Sequence, residues 1–258
     1  FWVSICTAYS TGFVGCAEVG AVWIKNGTKI AFLSSTDDGM QLFTMDPNGE
    51  NRKQISNVEK GIDGFLFSPD ETKILLIRNI KYGKASTDVY PDLDKADVKI
   101  VDDLMYKHWD HWVTEIPHPF IGNVSENGIS DIVDIMEGEP YECPMLPFGG
   151  TESFSWSPDS KTIAYSSRKK TGMEYSLSTN SDIYLYNLET KETKNLTEGM
   201  MGYDTNPTFS PKGDKLAWLS MEHDGYESDK NRIFVLDIKT GVKTDLTENW
   251  DYTALSIV

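Results

Sequence analysis

Trp156-Ser-Pro-Asp-Ser-Lys-Thr-Ile-Ala-Tyr165 is the stretch of sequence that decides the fold, because the chain repeats its pattern. An aromatic residue is followed by a polar turn, a lysine and a run of β-forming residues. Proline presets φ for the turn, and Asp or Gly accepts the tight backbone that follows it. The run of apolar residues then begins a partner strand. The stretch therefore predicts a β-hairpin.

This first phrase occurs four times, and its other copies are residues 23–32, 67–76 and 209–218. A second phrase follows three of the four copies and predicts another hairpin with a polar tip. Its copies are residues 42–56, 183–197 and 233–247. Two hairpins per repeat make a four-stranded antiparallel sheet, which is one blade of a β-propeller.

The spacing of the first phrase predicts how many blades the chain holds. The copies begin at residues 23, 67, 156 and 209, so the first interval matches a blade of about 40 to 50 residues. The second interval fits one blade with a long insertion at about 80–117 and outer strands near 118–124 and 129–136. The third fits a blade with a loop at about 169–181. We predict an all-β propeller of about four to five blades, and a β-sandwich is the main competing fold.

The domain organisation follows from the same pattern. Residues 1–22 match no copy of either phrase and are predicted to be a poorly defined N-terminal segment, followed by one partial propeller domain over 23–258. The next copy of the first phrase is due at about residue 258. We therefore expect an incomplete ring that continues beyond Val258.

Composition limits the partners. The 40 acidic and 24 basic residues give a net charge of −16, which argues against nucleic acid as a partner, since phosphate binding needs a concentrated positive surface. No apolar run approaches the length of a membrane span. The three cysteines, Cys6, Cys16 and Cys143, do not make a disulfide framework, although one bridge stays open.

The chain has no recognisable catalytic nucleophile. It contains no G-x-S-x-G motif, and its Ser-Pro-Asp serines are turn residues, so we assign no catalytic residue. His108, His111 and His118 lie close in sequence, and a zinc enzyme is a third, weaker hypothesis. Their spacing lacks the H-E-x-x-H pattern, so we predict no metal and no cofactor.

The repeat and two further motifs carry a family resemblance over roughly residues 20–258. The motifs are Leu104-Met-Tyr-Lys-His-Trp-Asp-His-Trp-Val113 and Pro147-Phe-Gly-Gly150. Together they resemble the N-terminal propeller of the prolyl oligopeptidase family of serine peptidases, in its dipeptidyl-peptidase V and acylaminoacyl-peptidase-like branch. The resemblance implies an α/β-hydrolase domain after the propeller, in the same protein but absent from this chain. It also implies a periplasmic or secreted location.

Two functions from different classes are therefore predicted. The first is a noncatalytic propeller that gates and orients peptides for a serine exopeptidase, which releases dipeptides or blocked residues from peptide amino termini. Its partners are the peptide substrate and the C-terminal hydrolase domain. The alternative is a TolB-like propeller that acts as a protein-binding scaffold.

Candidate site residues come from the insertion and from an acidic stretch. The substrate-facing candidates are His108, Trp109, Asp110, His111, Trp112 and Glu142. For the insertion, the alternative is an ordered segment that Trp109 and Trp112 anchor by packing. Glu142, with Glu137 and Glu139, would meet a peptide's ammonium group, and the alternative is a solvated acidic loop.

Overall fold

Four antiparallel sheets of four strands each contain most of the β-strands of the described residues. The computed structural model describes residues 18–96 and 98–257. The first sheet contains β1 (Glu18–Ile24), β2 (Lys29–Thr36), β3 (Gly39–Met45) and β4 (Lys53–Gln54). The second contains β5 (Gly64–Phe67), β6 (Lys73–Lys81), β9 (Glu115–Ser125) and β10 (Gly128–Asp134).

The third and fourth sheets repeat this up-and-down order without a long interruption. The third contains β11 (Phe154–Trp156), β12 (Thr162–Ser167), β13 (Asp182–Asn187) and β14 (Thr193–Asn195). The fourth contains β15 (Asp204–Phe209), β16 (Lys215–Ser220), β17 (Arg232–Asp237) and β18 (Lys243–Asp245). Each sheet has the strand order of a propeller blade.

Helices and a small hairpin fill the connections. The segment between β6 and β9 contains α1 (Ser86–Val89) and a two-stranded hairpin, β7 (Lys107–His108) with β8 (His111–Trp112). A 3₁₀ turn at Thr151–Ser153 precedes β11, and α2 (Gly172–Leu177) joins β12 to β13. Within the described residues, no helix has the length and apolar character needed to cross a bilayer.

The chain divides into two compact units. The first contains the described residues up to Phe67 together with residues 71–78 and 120–133. The second contains residues 68–70, 79–119 and 134–258. The predicted boundary at residue 23 and the predicted extent of a single domain stay predictions.

The predicted hairpins are confirmed by the strands. All four copies of the first phrase span a strand, a turn and the next strand, and the outer strands expected near 118–124 and 129–136 are β9 and β10. The loop expected at 169–181 is wrong in part, because α2 forms there. Tyr175 of α2 is buried, and this anchoring holds a helix that would be marginal by itself at six residues.

Three sheets carry a cross-strand aromatic pair on their middle strands. The last aromatic residue of the first phrase lies directly opposite the second residue of the second phrase, with ring centroids 5.3–6.0 Å apart. The pairs are Phe32 with Phe43 (6.0 Å), Tyr165 with Tyr184 (5.3 Å) and Trp218 with Phe234 (5.6 Å). Such pairs stabilise a sheet beyond the area that they bury.

A cation lies over each of these pairs and is paired with a carboxylate. The cations and their carboxylates are Arg52 with Glu18 (2.8 Å), Lys169 with Glu139 (2.5 Å) and Arg232 with Asp245 (3.4 Å). The second sheet has Leu76 at the aromatic position of the first phrase, so its middle strands depart from the pattern.

A side-chain hydroxyl closes the second hairpin in three of the four sheets, and we call this contact the hydroxyl latch. Thr197 Oγ1 accepts a hydrogen bond from the backbone N–H of Ile183 (3.0 Å) and donates one to Asp182 (2.9 Å). The equivalent latch residues are Ser56, which bonds Leu42 N and Gln41, and Thr247, which bonds Ile233 N and Asp245. Each latch residue is the last residue of one of the three copies of the second phrase.

Replacing Thr197 with Val tests the latch. The valine keeps the shape but leaves the buried N–H of Ile183 without its acceptor, so we expect a loss of about 1–3 kcal/mol in the free energy of unfolding. Thr244→Val, at an exposed position of β18, is the matched control and is expected to change stability by less than about 0.5 kcal/mol. Urea unfolding followed by tryptophan fluorescence measures both. Equal effects of the two substitutions would contradict the latch.

A second prediction concerns Asp204, which is fully buried at the start of β15 and accepts a hydrogen bond from Trp218 Nε1 (3.2 Å). Burial raises the pKa of Asp204 to about 6, although the hydrogen bond from Trp218 opposes the shift. The folded state therefore binds a proton more tightly than the unfolded state. This stabilising contribution is complete below about pH 4 and is lost as the pH rises through about 6.

Asp204→Asn removes this titration. We expect the variant to gain stability relative to the unmodified chain between pH 4 and pH 7, by an amount of the order of 2 kcal/mol. Urea unfolding of both proteins across this pH range is the measurement, with Asp251→Asn as the exposed control. A stability difference that does not change with pH would show that Asp204 keeps an ordinary pKa.

Candidate functional site

A cavity of about 400 Å³ lies within the second unit. Its lining includes Met105 and His108 from the insertion, the loop 145–148, Tyr175 from α2, and Arg168, Tyr203 and Met221 from the connections between strands. The sheets hold these connections in place, since each connection begins or ends at a strand. The volume suits a ligand the size of one or two amino-acid residues.

Glu142 forms hydrogen bonds with three parts of the cavity wall, namely β7, the loop 145–148 and α2. Its side chain is buried at 4 % exposure, and one carboxylate oxygen lies 3.1 Å from His108 Nε2. The other oxygen accepts hydrogen bonds from the backbone N–H of Leu146 (3.0 Å) and from the hydroxyl of Tyr175. A buried carboxylate needs such partners. Because both oxygens are occupied, Glu142 orders the residues that line the cavity.

The β7–β8 hairpin presents His108 and Trp109 next to one another. His108 pairs with His111 across the hairpin, and Trp109 takes a φ of 53° in the turn, a conformation that bulky side chains rarely adopt. Trp109 is 74 % exposed and packs edge-to-face on Phe148, with the ring centroids 5.6 Å apart. Phe148 is 80 % exposed and lines the cavity.

The remaining candidates of the insertion lie elsewhere. Trp112 packs against Tyr106 and the Lys107 ammonium (4.5 Å), and it lines a neighbouring cavity of about 440 Å³. The side chains of Asp110 and His111 are exposed at the hairpin tip, 3.6 Å apart. Of the six candidates, only His108 lines the cavity, while Trp109 and Glu142 contact residues that line it. A substrate-facing role for all six stays a prediction.

The other acidic candidates differ in their surroundings. Glu139 forms an ion pair with Lys169 (2.5 Å), whereas Glu137 is exposed. A free carboxylate for a peptide's ammonium group is therefore not provided by Glu139 or by Glu142.

Sequence reasoning missed Arg168, Tyr175 and Tyr203. The Arg168 guanidinium carbon lies 4.7 Å from the centre of the Tyr175 ring. Burial raises the pKa of Tyr203, and the nearby positive charge of Arg168 opposes this shift. The only available signal was an arginine directly after a predicted inner strand, which is too common to indicate a site.

The three clustered histidines are not gathered at one point. His118 is fully buried and bonds Asp134 (2.9 Å), while His108 bonds Glu142 and His111 lies in solvent. Over residues 18–96 and 98–257, no group of three or more His, Cys, Asp or Glu side chains is placed to hold a metal ion. Cys143 is a buried free thiol whose pKa burial raises, while Cys6 and Cys16 lie outside the described residues.

Comparison with solved structures defines the class of the fold. Acylaminoacyl peptidase of Pyrococcus horikoshii superposes with a TM-score of 0.59 and 15% identity, over 92% of this chain and 33% of that one. A putative TolB of Agrobacterium tumefaciens gives a TM-score of 0.52 and 13% identity, over 90% of this chain and 62% of that one. Both likenesses show the fold alone, and it is the predicted β-propeller. No family model matches the chain.

Sequence comparison then shows the kind of propeller. The chain is similar to the propeller segment of prolyl oligopeptidase family peptidases. One relative is dipeptidyl-peptidase 5 of Porphyromonas gingivalis, which is 58% identical over 235 residues that make up 91% of this chain and 34% of that protein. The chain thus spans about one third of the length of the curated relatives that it matches.

Glu142→Ala tests how the cavity wall is assembled. The substitution leaves His108 Nε2, Leu146 N and the Tyr175 hydroxyl without a shared partner, so we expect a loss of about 2–4 kcal/mol in stability. Glu137→Ala is the exposed control and is expected to change stability by less than about 0.5 kcal/mol. Thermal unfolding and the His108 ring resonances measured by NMR report the two effects. A Glu142→Ala variant with unchanged stability and an unchanged His108 signal would contradict the arrangement.

Proposed function

We propose that this chain is the substrate-gating propeller segment of a serine exopeptidase that releases dipeptides or blocked residues from peptide amino termini. The observation that carries the proposal is the 58% identity, over 91% of the chain, to a protein named dipeptidyl-peptidase 5. Because the chain corresponds to 34% of that protein, we assign catalysis to an α/β-hydrolase domain outside this sequence.

The cavity supports this proposal by its size and its wall. Its volume of about 400 Å³ accommodates one or two residues of an extended peptide. Met105, Met145 and Met221 provide adaptable apolar contacts, which suit side chains of different shapes. The Glu142 hydrogen bonds hold His108 and Tyr175 in fixed positions, so a bound peptide meets a preorganised wall.

The exposed aromatic pair supports a gating role. Trp109 and Phe148 contact one another beside the cavity, and both are largely exposed. In this proposal the pair limits the length of peptide that can enter, and His108 contacts the peptide inside. The net charge of −16 attracts the positively charged amino terminus of a peptide to the protein.

The TolB-like scaffold is the second hypothesis, and it shares the fold. The TolB neighbour is only 13% identical, whereas the peptidase relative is 58% identical. This difference favours the peptidase. Labelling of the complete protein by a fluorophosphonate tests the choice: covalent labelling of one serine is expected, and its absence would overturn the peptidase proposal. The proposed periplasmic or secreted location is supported by the family resemblance.

Phe148→Ala in the complete protein tests the gate. Removal of one ring of the pair widens the entrance, so we expect kcat/KM for a hexapeptide to rise about threefold or more relative to a dipeptidyl fluorogenic substrate. Tyr252→Ala removes another exposed aromatic side chain that does not line the cavity and is the matched control. An equal change for both substrates, or the same change in the control, would refute the gating role.

A further inference from the structure

We propose that the cavity of the second unit binds a carboxylate group, with Arg168 as the residue that selects it. This inference rests on the proposed function for its biological meaning, because it names a substrate class for the same cavity. The shared chemistry is a carboxylate on a short, partly apolar ligand. Its source is either an acidic side chain or the carboxy terminus of a short peptide.

Among the described residues, Arg168 lacks the carboxylate partner that three other cations stacked on rings possess. Arg52, Lys169 and Arg232 each lie over an aromatic ring and also pair with an acidic side chain. Arg168 lies over the Tyr175 ring in the same way, at 4.7 Å. Among the described residues, it forms no ion pair, and its Nε is buried without a hydrogen-bond acceptor.

The acidic residues around the cavity do not neutralise this charge. Both oxygens of Glu142 are occupied by His108, Leu146 and Tyr175. Glu227 lines the cavity but is exposed, in the connection between β16 and β17, where solvent screens its charge. The charge of Arg168 acts on the hydroxyl of Tyr203, which also lines the cavity. A guanidinium and a phenol therefore share one wall.

The geometry suits a planar anion. A guanidinium stacked on an aromatic ring keeps its edge N–H groups available, and these match the two oxygens of a carboxylate. Met105, Met145 and Met221 surround the site with apolar surface, which strengthens a charge-assisted hydrogen bond by excluding water. An apolar group attached to the carboxylate has the same side chains to pack against.

Binding by the 258-residue chain tests the inference with two probes of nearly equal shape. N-acetyl-L-phenylalanine carries a carboxylate, and N-acetyl-L-phenylalaninamide replaces it with a neutral amide. Isothermal titration calorimetry is expected to show binding of the acid about tenfold tighter than binding of the amide. A third probe, N-acetyl-L-glutamic acid α-amide, carries the carboxylate on a side chain and distinguishes the two sources.

Arg168→Gln is expected to weaken binding of the acid about tenfold and to change binding of the amide by less than about twofold. Lys212→Gln removes one positive charge from an exposed lysine and is the matched control. If Arg168→Gln does not fold, Arg168→Lys keeps the charge but loses the planar fork, and an intermediate affinity for the acid is expected.

Three outcomes would overturn the inference. The first is that the unsubstituted chain binds the acid and the amide with equal affinity. The second is that Arg168→Gln weakens binding of the acid and of the amide equally, which would indicate a neutral carbonyl ligand. The third is that Lys212→Gln weakens binding of the acid as much as Arg168→Gln does. Fluorophosphonate labelling of the complete protein does not depend on Arg168. A failure of the peptidase proposal is therefore distinguishable from a failure of the carboxylate site.

Discussion

The hydrogen bond from a backbone N–H to the latch hydroxyl is the constraint on which the rest of the structure depends. In three sheets, a backbone N–H of the third strand (Leu42, Ile183 or Ile233) would otherwise lose its side-chain acceptor. The latch ties the end of the outer strand to the third strand, and it therefore helps to fix the pairing of these two strands. Because the register is set inside each sheet, the connections between strands are free to differ in length and chemistry.

The candidate site consists of such connections, and Glu142 unites three of them. His108 and Tyr175 are 34 and 33 residues away from Glu142 in sequence, yet both contact its carboxylate. A buried carboxylate is costly unless its oxygens are hydrogen-bonded, so the same contacts that satisfy Glu142 also order the cavity wall. Arg168 contacts the ring of Tyr175 rather than the Glu142 carboxylate, and its charge stays available. The site therefore contains a carboxylate whose oxygens are hydrogen-bonded and, among the described residues, a guanidinium without a carboxylate partner.

Much of the fold could be predicted, and less of the site. The hairpins of all four sheets, and β9 and β10 beyond the insertion, follow from phrases whose turn and strand chemistry is local. The helix α2 was expected as a loop, because its polar and glycine-containing sequence has weak local preference and its order comes from burying Tyr175. Among the site candidates, His108 lines the cavity, and Trp109 and Glu142 contact residues of its lining. Asp110, His111 and Trp112 lie in other surroundings.

By itself, the sequence determined the blade repeat, because the turns and the strand-forming runs that follow them act over a few residues and recur along the chain. It also carried the family resemblance, through motifs that are contiguous in the chain. Only the tertiary structure decided which charges are paired. Glu142 forms hydrogen bonds with His108, Leu146 and Tyr175. Arg168 lies over the ring of Tyr175 and, among the described residues, pairs with no acidic side chain. Charge pairing depends on distances between segments that are remote in sequence, and no local pattern encodes those distances.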